Sequence, residues 1–210
     1  MLRDGKILGE RDSVVFDEPQ HSYPFIAALM YSIQKSEKIK VYDIGGSLGS
    51  TFYQHKHFFG NNVQTWIIIE QKNFVKLGNE NYKNNILSFQ RDLPTSIDGS
   101  NSFFLLSSSL QYLEKPSSIL KRISKLNPKY IFIDKTPFSS DNNNYLTIQN
   151  VNEPIYKATY PAWHFSEQYL LNSIPNYKIY FKFDAYPSVI NKIAHSTSIY
   201  KGYFLIKKSS

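Results

Sequence analysis

Short runs of β-branched and aromatic residues recur along the chain, separated by stretches whose apolar positions repeat at helical spacing. The first run is Ile39-Lys40-Val41-Tyr42-Asp43, and the second is Thr65-Trp66-Ile67-Ile68-Ile69-Glu70. Ile86 to Phe89 makes a weaker third, Ser102 to Ser107 a fourth and Tyr130 to Asp134 a fifth. Runs of this length and composition predict strands. Between them, Tyr23 to Lys38 carries Phe25, Ile26, Leu29, Met30 and Ile33 on a helical repeat, and Ser117 to Leu126 carries Ile119, Leu120 and Ile123 on one face. A helix is also expected from about Ser50, and Ser166 is an N-cap candidate for a helix through Leu171. Strands alternating with helices predict a mostly parallel sheet covered on both faces. Tyr177 to Asp184 and Tyr200 to Lys207 follow one another closely and predict an antiparallel pair at the end of the chain. Ser139 to Asn144 is polar throughout and reads as an exposed loop.

Length and composition narrow this picture. The 210 residues suffice for one α/β domain and not for two. Within it, residues 1–38 are expected to form an N-terminal lid segment and a helix packed on a core of residues 39–210. Hydrophobic content of 41% with 20% charged residues is ordinary for a soluble globular protein. The 16% aromatic content is high, and suits either a packed core or a pocket for a flat or ring-shaped ligand. The chain has no cysteine, which excludes disulfides, Cys-ligated zinc and a thiol nucleophile, and fits a reducing cytoplasm. Met1 to Glu10 has no apolar core of a signal peptide, and no apolar run approaches the ~20 residues of a membrane span, so a cytoplasmic location is expected. The net charge of +7 serves solubility, or attraction to an anionic partner such as a glycan precursor, another phosphorylated metabolite, anionic lipid or nucleic acid. Apart from Lys207-Lys208 the basic residues are scattered, which argues against a dedicated nucleic-acid face. The oligomeric state is not legible.

Asp43-Ile44-Gly45-Gly46-Ser47-Leu48-Gly49 follows the first predicted strand directly. A strand turning sharply into a helix needs residues without a Cβ, for positive φ and so that a ligand can lie against backbone. The amide groups at the start of the next helix point back at such a loop. A dinucleotide fingerprint reads G-x-G-x-x-G, but here Ile44 stands two places before Gly46. An acid just before the glycines suits a ligand that brings an ammonium group and a sulfonium rather than a pyrophosphate. Glu70, with Gln71 beside it, ends the second predicted strand, where a carboxylate can accept from both ribose hydroxyls of an adenosine. Five parallel strands with an antiparallel end also fit this ligand better than a dinucleotide. The alternative is a Gly-rich turn with an unrelated surface Glu. Asp92, after the weaker third strand, could accept from an adenine amino group or be a surface acid.

Several segments together resemble the methyltransferases encoded in bacterial surface-polysaccharide (capsule and O-antigen) gene clusters. They are Glu10 to Glu18, Asp43 to Gln54, Leu106 to Leu113, Ile133 to Phe138, Tyr160-Pro161-Ala162-Trp163 and Tyr200-Lys201-Gly202, so the resemblance runs from about residue 10 to residue 205. It implies the class I methyltransferase superfamily: an α/β, Rossmann-like three-layer sandwich with a seven-stranded, mostly parallel sheet and an antiparallel C-terminal strand, using S-adenosyl-L-methionine. By position, Asp43, Gly45, Gly46 and Gly49 would hold the methionine end of that cofactor, Glu70 the ribose, and Ser107 and Ser109 would border the sulfonium. The class pattern D-x-G-x-G-x-G is broken once, with Ser47 where its second glycine stands and Gly46 one place early.

The acceptor side is expected from loops at the carboxyl ends of the strands and from the N-terminal segment. Asp134, at the end of the fifth strand, is a candidate base or substrate contact, or else caps a turn; Lys135 and Thr136 stand beside it as substrate contacts. Tyr160, Trp163 and His164 form a second group, in which aromatic faces suit sugar rings and His164 is either a base or structural. His21 lies in the expected lid, Tyr53 in the helix after the cofactor loop, and Glu10 and Arg11 belong to a charged cluster that would hold an anion or pair in solution. His55 and His57 sit two apart on that helix and do not share a face, so no metal site is expected. The leading expectation is methyl transfer to an oxygen or nitrogen of a sugar, nucleotide-sugar or related small anionic metabolite in surface-polysaccharide biosynthesis. A nucleic-acid methyltransferase, or a binding protein that keeps the fold without turnover, ranks below it.

Overall fold

The computed structural model describes residues 9–11, 14–16, 18, 20–153, 157–185 and 190–209, the first two segments as backbone alone. Two short N-terminal strands, β1 (Gly9–Arg11) and β2 (Val14–Phe16), pair antiparallel. The central sheet holds β3 (Ile39–Ile44), β4 (Val63–Ile69), β5 (Leu87–Gln90), β6 (Ser102–Ser107) and β7 (Tyr130–Ser139), all mutually parallel. An insertion follows as the antiparallel ribbon β8 (Tyr145–Val151) and β9 (Ala158–His164). The last strands are β10 (Tyr177–Asp184), β11 (Ile190–Ile193) and β12 (Ser196–Lys207). The order across the sheet is β10-β12-β7-β6-β3-β4-β5, with β11 attached to β12. β12 is antiparallel to both β7 and β10, and enters the sheet between them.

The expected α/β, Rossmann-like sheet with an antiparallel C-terminal strand is therefore present. The β8–β9 ribbon was not expected, Ser139 of the expected exposed loop is buried at the end of β7, and two strands differ in course. β12 begins at Ser196 rather than Tyr200, because the intervening chain folds back as β11 and pairs with Ser196–Ile199. β7 runs on past Asp134 to Ser139, with Lys135 in the left-handed region at φ 48 and a register irregularity opposite Lys201–Tyr203.

Helices cover both faces, and alternation along the strands explains why. On one side, Val41, Trp66, Ile68, Phe103 and Phe132 meet Phe25, Ala28 and Leu29 of α1 (Tyr23–Gln34) and Phe52 and Phe59 of α2 (Ser50–Phe59). The α3 helix (Lys72–Asn81) adds Val75 to that side. On the other side, Tyr42, Ile44, Phe104, Leu106, Ile131 and Ile133 meet Leu120 and Ile123 of α4 (Pro116–Leu126) and Leu170 of α5 (Glu167–Ser173). The aromatic richness of the sequence goes largely into these two layers: Trp66, Phe103, Phe132 and Phe204 are all fully buried. Each such side chain stabilises the fold by about 1.5–3 kcal/mol through burial alone. Local signals set the ends of the helices. The hydroxyls of Ser22 and Ser166 accept from the amides of Phe25 and Tyr169, capping α1 and α5. Among the described residues no helix is long and apolar enough to cross a membrane.

Candidate cofactor and acceptor cleft

The carboxyl ends of β3, β4 and β6, and the middle of β7 at Asp134 and Lys135, open on one cleft of about 870 Å³. Its floor is the loop after β3, whose backbone explains its composition. Gly45 has φ 73, and a Cβ there would lie 2.6 Å from Cβ of Ser109; a Cβ on Gly46 would lie 2.6 Å from Cγ of Asp43. Ser47 is itself in the left-handed region at φ 51, so the position at which the class pattern has glycine keeps a glycine-like backbone with a side chain on it. Gly49, at φ 96, starts α2.

Asp43 is 1% exposed, and Nε1 of Trp66 donates to its Oδ2 at 3.1 Å. Burial pushes its carboxyl up to about 7; the Trp66 hydrogen bond opposes this and the Glu70 charge adds to it. A carboxylate held in so dry a place is poised for a cationic partner. Glu70 accepts from the amide of Ser47 at 3.3 Å and from the amide of Gln71 at 2.7 Å, which ties the Gly-rich loop to the end of the neighbouring strand. Ser107 lines the cleft at the end of β6, and Ser109 follows with a buried hydroxyl oxygen that has no hydrogen-bond partner among the described residues. The dry Asp43, packed close on Gly46, and this buried hydroxyl, on the side chain packed close on Gly45, together fit the methionine end of S-adenosylmethionine. Phe74, Arg91, Asp92 and Leu93 line the region beyond Glu70, where an adenine would extend.

At the opposite end lie Gln20, Ser22, Gln54, His55, Asp134 and Lys135. Asp134 is 2% exposed: its Oδ1 accepts from the amide of Lys135 at 2.7 Å and its Oδ2 from the hydroxyl of Ser22 at 3.0 Å. The amide of Gln20 donates to Oε1 of Gln54 at 3.2 Å, so the segment before α1 is fastened over this end at two points. The expected cofactor residues Asp43, Gly45, Gly46, Ser47, Glu70, Gln71, Ser107 and Ser109 all line the cleft; Gly49 lies just behind them against Leu87 and Ile68.

The expected substrate residues are dispersed. Lys135 lines the cleft, while Thr136 is fully buried and donates to the Asp134 carbonyl oxygen. Tyr53 points its hydroxyl at the Tyr82 carbonyl oxygen, away from this end. Tyr160 reaches the cleft rim indirectly, edge-on to Tyr112, and Trp163 stacks on Phe165. His164 does not line the cleft: it is buried with Nδ1 2.7 Å from the Ser198 hydroxyl, and burial lowers its pKa. His21 meets His55 and His57. The side chains of Glu10 and Arg11 lie outside the described residues. Among the described residues no group of three or more His, Asp or Glu could hold a metal ion. The sequence weighs His55 only as a metal ligand, because its neighbours His21 and Phe25 come from a distant segment that no local spacing reveals.

The sequence matches no family model and no curated protein. Solved structures do resemble it. The N-terminal domain of EvdMO1 with S-adenosylhomocysteine bound superposes with a TM-score of 0.58 at 9% identity, over 99% of this chain and 95% of that one. A SAM-dependent methyltransferase of Methanosarcina mazei gives 0.56 at 13% identity, over 89% and 98%. The fold is that of the class I methyltransferases. The 1,6-didemethyltoxoflavin-N1-methyltransferase of Burkholderia thailandensis, solved with 1,6-didemethyltoxoflavin and S-adenosylhomocysteine, gives 0.52 at 15% identity, over 89% of this chain and 78% of that one.

Proposed function

We propose that this chain is an S-adenosylmethionine-dependent methyltransferase that methylates an oxygen or nitrogen of a small anionic metabolite, with a sugar or nucleotide-sugar of surface-glycan assembly as the substrate class. The observation that carries the reading is the pairing of two acids across one loop: Asp43, dry and beside Gly46, and Glu70, bonded to the amide of Ser47. Asp43 would accept from the ligand's ammonium group, Glu70 from the ribose hydroxyls, and the Gly45–Gly46 backbone would lie against the methionine moiety. When bound, the cofactor supplies an electrophilic methyl group on a sulfonium. The chain's own contribution is to orient an acceptor in line with that methyl, to exclude water, and to take up a proton. The segment holding Gln20 and Ser22 would act as a lid over the acceptor end, tied down through Gln54 and Asp134.

The choice of a small anionic acceptor rests on cations and on precedent. Lys135 lines the acceptor end, and Lys72 and Arg122 also line the cleft. A similar structure, the N-terminal domain of EvdMO1, was crystallised in the presence of S-adenosylhomocysteine and D-fucose, which supports a sugar. Titration calorimetry with S-adenosylhomocysteine tests the cofactor, and absence of heat at millimolar ligand defeats the reading. Transfer of labelled methyl from S-adenosylmethionine to a panel of free, phosphorylated and nucleotide-linked sugars tests the acceptor. Transfer only to polynucleotide would replace it.

A further inference from the structure

Three histidines from two segments meet beside the acceptor end of the cleft. His55, in α2, lines the cleft and is 3% exposed. Its Nδ1 lies 2.8 Å from the Thr51 carbonyl oxygen. A carbonyl only accepts, so this contact keeps the ring hydrogen on Nδ1 and leaves a bare lone pair on Nε2. Nε2 is buried and has no hydrogen-bond partner among the described residues. Buried polar atoms are normally satisfied, and what this one lacks is a donor. The ring of His21 is centred 5.2 Å from that of His55 and 5.8 Å from that of His57, and Nδ1 of His21 is likewise buried without a partner among the described residues. The three rings are graded in exposure: His55 buried, His21 half-buried, His57 exposed.

Resting on the methyltransferase reading, we infer that Nε2 of His55 accepts the proton of a hydroxyl-bearing acceptor. As the acceptor oxygen attacks, the O–CH3 bond forms and the S–CH3 bond breaks, leaving its electron pair on sulfur. The hydroxyl proton moves to Nε2, and the imidazolium so formed gives it up to solvent as the product leaves. The groups facing His55 favour this direction. Burial holds its pKa down to about 4; the Thr51 contact opposes this, and the positive fields of His21, His57 and Lys135 reinforce it. Phe25 and Phe58 pack against the ring. His55 is thus neutral at physiological pH, with its lone pair available. A weak base suffices, because a protonated ether is a far stronger acid than any imidazolium and the hydroxyl acidifies as the new bond forms.

Long-range proton–nitrogen NMR on the full chain with 15N-labelled histidine reads the tautomer directly. The expected result is a protonated Nδ1 and a bare Nε2 at neutral pH; a proton on Nε2, or a charged His55 ring at pH 7, overturns the inference. This reading stands whether or not a variant folds or an acceptor is found. His55→Gln should bind S-adenosylhomocysteine as the parent does but transfer methyl to a hydroxyl acceptor about 100-fold more slowly. Parent-like transfer by His55→Gln with binding intact removes His55 and leaves the methyltransferase reading standing, whereas a parent that binds no S-adenosylhomocysteine removes that reading.

Discussion

The amide of Ser47 donates to the Glu70 carboxylate at 3.3 Å, so the Gly-rich loop after β3 is held in place by the residue that follows β4. The same carboxylate takes the Gln71 amide, and its remaining lone pairs are available to a ligand. Glu70→Ala removes both the ligand contacts and the tie on the loop. S-adenosylhomocysteine affinity should fall by about 1–3 kcal/mol, or roughly 5- to 150-fold, in calorimetry. Unchanged affinity takes Glu70 out of the site.

The close approaches in the loop predict a second effect. Gly46→Ala would place a methyl 2.6 Å from the Asp43 carboxyl carbon, and Gly45→Ala would place one 2.6 Å from Cβ of Ser109 while also straining a φ of 73. Either overpacking should cost about 1–3 kcal/mol in thermal or denaturant unfolding and abolish measurable cofactor binding. Ser47→Gly works in the other direction. It relieves a left-handed backbone at φ 51, and should raise stability by up to about 1 kcal/mol with binding retained. A drop in stability on Ser47→Gly would mean that the serine side chain makes contacts worth more than the strain.

How much of this was legible in the sequence depends on which force shapes each element. The strands that carry the cofactor loop were readable because both their faces are buried: Val41 and Tyr42, or Ile67 and Ile68, leave a continuous apolar run. The β8–β9 ribbon was not, since its alternation is inverted. Leu146 and Ile148 are the exposed residues of β8, at 56% and 64%, while Thr147 and Gln149 turn inward, so hydrophobicity points the wrong way. The Gly45–Gly46 turn was readable because a strand turning sharply into a helix demands residues without a Cβ, and Asp43 and Glu70 because they stand at the ends of adjacent apolar runs. The other end of the cleft was readable only in part: Asp134 and Lys135 were named as candidates, but it is assembled from residues 20–22, 54–55 and 134–135, and only the tertiary fold brings Ser22 to Asp134.

The ribbon touches the cleft through Tyr112, which donates to Oε1 of Gln149 at 3.2 Å and packs edge-on to Tyr160. Tyr112→Phe keeps the ring contact and deletes the hydrogen bond, which should cost about 0.5–1.5 kcal/mol locally. Tyr112→Ala also loses the aromatic packing, and should speed limited proteolysis within residues 145–164 while leaving S-adenosylhomocysteine affinity near the parent's. Loss of affinity in Tyr112→Phe would place this hydroxyl in the cofactor site instead.

Two buried groups in the cleft impose opposite pH dependences, and variants at each should separate them. Asp43 has its carboxyl raised by burial to about 7. As pH climbs from about 4 to 7 the unfolded chain ionises this acid while the folded chain still holds the proton, so its contribution lowers stability across that window and is constant above it. His55 is depressed by burial to about 4. As pH falls from about 6.5 to 4 the unfolded chain takes up a proton that the folded chain refuses, so its contribution lowers stability toward acid. The slopes overlap and largely cancel in the parent. Asp43→Asn retains an acceptor for Trp66 and removes the first slope. Its melting temperature should match the parent's near pH 4 and exceed it increasingly up to pH 7, by roughly 5–10 °C for a gain of a few kcal/mol. Above pH 7 that lead should level off. The same substitution should weaken S-adenosylhomocysteine binding, since an amide cannot supply the negative charge that the ligand's ammonium group needs. A variant less stable than the parent at pH 8 would show that Asp43 is already ionised and compensated in the free protein. One that gained stability with cofactor affinity intact would assign the ammonium group to another acid.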